Sequence, residues 1–143
     1  MSRENRKEHV AFGGLDRDLM KINDHQNIFH LAIDLSIPGF LPRQFVSSVV
    51  WKWAGDKKEL TVVADSVKNT EFPVRKEYLR ASSTAMVKYM QEAGAGGVQT
   101  KVTWTQQVDL GGAIPKWVVN QQGVGSLMYV LEHAPYSVRA PHT

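Results

Sequence analysis

At 143 residues, with 43% hydrophobic and 22% charged side chains, the chain is expected to be one domain large enough to bury a core. The absence of cysteine excludes disulfides, thiolate metal ligands and a cysteine nucleophile, and no apolar run approaches the ~20 residues that span a bilayer. The net charge of +3 is mild and its lysines and arginines are scattered among acids, which argues against nucleic acid and leaves weak attraction to an anionic membrane surface open.

The charged opening MSRENRKEHV lacks the apolar stretch of a secretory signal; with the missing cysteines, this leads to a cytoplasmic placement. Residues 1–25 read as a weakly ordered or abbreviated lead-in, with a short helix around Asp16 to Ile22. From Gln26 to Leu35 a period of two sets in, with Phe29, Leu31, Ile33 and Leu35 on one side and Ile28, His30, Ala32 and Asp34 on the other. SIPGFLP (Ser36 to Pro42) is a loop. The aromatic and β-branched run Phe45 to Trp53 is a second strand, and Leu60 to Val67 a third joined to it as a hairpin. A polar loop, Lys68 to Lys76, carries Phe72 and leads to a long fourth strand, Tyr78 to Met90. In GAGGV (Gly94 to Val98) the lysine–serine/threonine ending of a phosphate loop is missing, so a hairpin turn is expected.

Thr100 to Asn120 organises the rest. Val102, Trp104, Gln106 and Val108 alternate with polar neighbours, predicting a strand with one buried face. Gly111 and Gly112 break it, Pro115 suits a first helical turn, and Ile114, Trp117, Val118, Val124, Leu127, Met128 and Leu131 follow at helical spacing. The tail 134–143 has two prolines and no period, and is expected to be flexible. The order is therefore α+β: antiparallel strands, then one amphipathic helix that can cover the sheet over a cavity.

None of the usual catalytic signatures occurs, and no two histidines have the i, i+4 spacing of helix metal ligands. His30 shares a strand side with Asp34. If that side is buried, the pair lines a non-polar space and can orient a ligand's polar group; if solvated, both are ordinary surface residues. Gln106 interrupts an apolar side, and a buried amide left unpaired costs ~1–3 kcal/mol. A structural partner, a water or a ligand must then satisfy it.

SIPGFLPRQFVSSVVWKW, ADSVKNTEFPVRKEYLRA and TKVTWTQQVDLGGAIPKWVVN together resemble the START (StAR-related lipid transfer) domain, over about Gln26 to Glu132. The most specific parts are Pro42, Arg43 and Phe45 opening a strand, Leu79-Arg80-Ala81 after a proline loop, and the V-D-L-x-G-x-I-P-K…N junction. The resemblance implies a helix-grip fold (START/Bet v 1-like), in which a curved antiparallel sheet grips a long C-terminal helix over a hydrophobic tunnel for one lipid. It places the domain at 26–133, N-terminally abbreviated, and implies non-enzymatic binding, transfer or sensing of a sterol, phospholipid or ceramide, with transient membrane contact and no cofactor or metal. Expected ligand-binding residues are His30, Asp34, Val49, Trp104, Gln106, Trp117, Val118 and Val124, and expected gates Phe72, Gly111 and Gly112. The buried acid–arginine pair of steroid-carrying members falls on His30 and Val49, so that pair is missing here. The alternative reading is a truncated domain that serves protein interaction or sensing without lipid carriage. An enzyme on the same architecture would have only His30, Asp34 and Gln106 to work with.

Overall fold

The computed structural model describes residues 14–120. Seven strands form one sheet: β1 (Gly14–Asn23), β2 (Gln26–Ile33), β3 (Arg43–Trp53), β4 (Glu59–Ser66), β5 (Leu79–Arg80), β6 (Ser82–Gly94) and β7 (Gly97–Asp109). The spatial order is β1-β2-β3-β4-β6-β7, each pair antiparallel. The two-residue β5 lies parallel to the start of β3, taking over the edge that β4 leaves at Ser47.

Local chemistry sets the turns. At the β1–β2 hairpin the Asn23 side chain accepts from the His25 amide at 2.8 Å, an Asx-type turn. Between β3 and β4 the Lys57 amide donates to Ala54 O and the Asp56 carboxylate accepts from the Lys58 amide. The β6–β7 hairpin turns through Ala95 and Gly96, and Gly97 takes φ +112°, a value that favours glycine. The glycine-rich GAGGV is thus a hairpin turn, as its composition predicts.

Residues 14–23 are a strand rather than the expected short helix. Asp16, Asp18 and Met20 lie on one side of β1 and Leu15, Arg17 and Leu19 on the other; charge on both sides hides the period. Such mixed, charged patterning suits an exposed edge strand, which needs no buried face to form. The predicted Tyr78–Met90 strand is divided: β5 ends at Arg80, buried Ala81 follows, and β6 starts at Ser82.

Burial concentrates where β2 and β3 meet. Arg43, Gln44, Phe45, Val46 and Ser47 are buried in succession, with Ile28, His30 and Ala32 beside them. A run buried on both sides of a strand means that both faces are covered locally. The division between the chain's two compact units falls between Gly111 and Gly112, with φ +66° and +71°. In the second unit a helix starts at residue 116 and runs to 120, the Val118 amide bonding to Pro115 O. The expected continuation, with Val124, lies outside the described residues. Among those described, no helix is long and apolar enough to cross a membrane.

Candidate functional site

Strand alternation and register sort the expected residues onto two faces. Val49 pairs with Ala64, Ala64 with Ala85, and Ala85 with Gln106, so these four form one row across β3, β4, β6 and β7. Two residues along the same face lies the row Trp51, Val62, Val87 and Trp104. Trp53, Leu60, Tyr89 and Val102 make the next. Small side chains in one row beside branched and aromatic ones in its neighbour leave a low apolar track on this face. Half-buried Trp51 and Trp104 stand at its two ends.

Val49, Trp104 and Gln106 are therefore brought together. Gln106 is exposed on β7, at the edge of the described sheet, so the expected burial of its amide is corrected and the amide is open to solvent. Trp104 Nε1 is the polar atom on this face that is buried without a partner among the described residues.

His30 lies on the opposite face, fully buried. Asp34 is not beside it: β2 ends at Ile33, and the exposed Asp34 carboxylate accepts from the Ser36 amide at 2.8 Å. The partner His30 does find is Phe72, whose ring stacks on the imidazole at 5.2 Å and 6°. Phe72 is thus turned inward and half-buried, in place of the exposed loop tip that its polar neighbours suggested. Gln44 Nε2 donates to Pro73 O at 3.2 Å and lies 3.1 Å from His30 Nε2. That nitrogen must then accept, which puts the neutral ring's proton on Nδ1. Burial is the main cause that lowers the His30 pKa from its ordinary 6.5; the Asp16 carboxylate, the next cause, opposes it.

Arg43, one residue before Gln44, faces the apolar side. Its guanidinium donates to Leu41 O, to Leu110 O at 2.7 Å and to Gly111 O at 3.3 Å. Burial lowers its pKa, but a guanidinium stays cationic. Arg80 Nη2 donates to Phe72 O at 2.8 Å, tying the loop to β5. Pro42 O, Gln44 O and Val46 O each accept a backbone amide from Leu79, Ala81 and Val67. The start of β3 thus fastens the 67–78 loop on one face and the 110–111 turn on the other.

Arg43 and Gln44 were no part of the expected site. A signal was present: RQFVSS lacks alternation although it begins a strand, which marks a strand covered on both faces. Trp117 is 60% exposed and is no core anchor, whereas Val118 is buried. A depression of about 370 Å³ beside the β3–β4 hairpin contains none of the expected ligand residues.

A wide antiparallel sheet in meander order, followed by the start of a helix, defines an α+β class. Residues 36–138 match the START domain, and the chain belongs to that family. Among solved structures it is similar to human STARD10 (TM-score 0.61, 20% identity, covering 92% of this chain and 58% of that one). It is also similar to the lipid transfer and protein localization domain of human StarD13 (0.60, 22%, 87% and 62%). A STAR-related lipid transfer protein from Xanthomonas axonopodis is a third (0.65, 23%, 90% and 71%). At these identities the likeness speaks for the fold. The chain spans about three-fifths of the first two structures. No curated protein matches the sequence.

Proposed function

We infer that this START domain binds a single lipid against the apolar face formed by β3, β4, β6 and β7, and carries or senses it without catalysing a reaction on it. The observation that supports this most is the shared face: Val49, Ala64 and Ala85 form a low row beside Trp51, Val62, Val87 and Trp104. An acyl chain or sterol ring laid there leaves water at ~0.8 kcal/mol per CH₂, a large gain for any lipid. The unpartnered Trp104 Nε1–H offers one donor to an ester, phosphate or hydroxyl oxygen.

With Val49 and His30 on opposite faces, no polar pair equivalent to an acid and an arginine spans the track among the described residues. A ligand held by length and apolar surface fits better than one held by a buried ion pair, which favours phospholipid or ceramide over a sterol. The test is native mass spectrometry of the purified full chain, followed by transfer of fluorescent phospholipid, ceramide and sterol between vesicles. Co-purified or loaded lipid at one molecule per chain is the expected result. A chain that retains none of the three and accelerates no transfer is instead an interaction or sensing module without carriage.

A further inference from the structure

We propose that Asp16, Asp18 and His30 form a binding site for a divalent transition metal of the Zn²⁺ type, on the face of the sheet away from the apolar track. Asp18 is directly opposite His30 across the β1–β2 ladder, and Asp16 lies two residues along on the same face. Each side chain offers one ligand atom, and these atoms lie within 4.8 Å of one another.

Two acids near each other are not a site, but His30 adds an independent observation. Its ring is fully buried and its Nδ1 has no partner among the described residues. A buried polar atom without a partner is costly, and the ring that carries it belongs to the carboxylate cluster. Nε2 is already turned to Gln44, so Nδ1 is the nitrogen left for a ligand.

Tetrahedral Zn²⁺ with bonds of ~2.0–2.2 Å separates its ligand atoms by about 3.3–3.6 Å, so modest side-chain rotation closes the site. Asp16 Oδ1 accepts from the Arg17 amide and Oδ2 is 3.6 Å from Arg75 Nη1, yet each oxygen keeps a further lone pair. Asp18 is exposed and gives the ion its way in, with water completing the shell.

The ring proton is accounted for. Metal on Nδ1 moves that proton to Nε2, which then needs an acceptor. Gln44 Oε1 is buried without a partner, and turning the amide brings it to Nε2 at the expense of the bond to Pro73 O. A ligating histidine that donates its second N–H in this way is the usual support of a metal site. One imidazole and two carboxylates suit Zn²⁺ better than Mg²⁺ or Ca²⁺, which take oxygen shells. A bound ion would hold β1 to β2 and, through the His30–Phe72 stack, steady the 67–78 loop.

The test uses the full chain stripped of metal and titrated with ZnCl₂ against a chromophoric chelator, with nitrogen NMR of the His30 ring. One equivalent bound at micromolar or tighter affinity, with Nδ1 as the shifted nitrogen, is expected. Asp18→Asn, at an exposed position, should weaken binding by about tenfold or more without altering the metal-free circular dichroism. Asp16→Asn should do the same through a separate ligand, while His25→Asn should change nothing. The site is refuted if the wild type binds no Zn²⁺ up to millimolar concentration, if both aspartate variants bind like wild type, or if His25→Asn removes the bound equivalent.

Discussion

Arg43 and Gln44 are adjacent in sequence and face opposite sides of the sheet, and each secures a different loop. Replacing Arg43 by Met keeps the buried volume but strands the carbonyls of Leu41, Leu110 and Gly111, at about 3 kcal/mol or more. Arg43→Lys should recover less than half of this, because an ammonium cannot present the planar fork. Urea denaturation of both variants checks the ordering; equal loss from each would mean that charge alone matters. Gly111 is a second sensitive position. A Cβ there would lie 3.1 Å from Arg80 O, and φ is +66°. Gly111→Ala should cost about 1–2 kcal/mol, while Gly55→Ala, with open space around it, should be nearly neutral. At this scale the sequence drew attention to residues whose partners it did not show. Gly111 and His30 stood out by type, but His30 takes its stacking partner, Phe72, from 42 positions downstream rather than from nearby Asp34. No local pattern encodes that contact.

Among the elements, the 67–78 loop departs most from its expected role. KNTEFPVRK reads as polar and exposed, with Phe72 as a residue free to touch a membrane. In the structure Phe72 covers His30 and its carbonyl holds Arg80. Phe72→Ser should therefore cost about 1–2 kcal/mol and speed proteolytic cleavage within the loop. An unchanged melting temperature and cleavage rate would return Phe72 to the surface. The strands themselves were legible wherever one face is buried. Gln26–Ile33, Phe45–Trp53 and Leu60–Ser66 show period two or β-branched runs because packing selects them. β1 was not legible, since an edge strand with charge on both faces carries no such selection. The Leu79–Arg80 break was also hidden, because it follows from hydrogen bonds to Pro42 and Gln44 far upstream in the chain.

For the whole molecule, the START fold follows from the sequence through three separated motifs, and the structure explains why they travel together. Arg43 in the first bonds to Leu110 and Gly111 in the third, and Leu79 and Arg80 in the second pair beside Arg43 and Gln44. The face proposed to bind lipid was only half legible. Val49 and Trp104 belong to it, but their shared track depends on the pairing of Ala64 with Ala85, which register alone reveals. Ala85→Trp should fill that track, reducing lipid binding at least about tenfold with a folded sheet, whereas Val63→Trp on the other face should leave binding intact. Equal loss from both would argue against a face-specific site. The most direct measurement loads the full chain with a photoactivatable phospholipid and maps the cross-links by peptide mass spectrometry. Labels on Val49, Val62, Val87 and Trp104 are predicted. Labels on Val50, Val63 and Met86 instead, or no retained lipid, would contradict the assignment of that face.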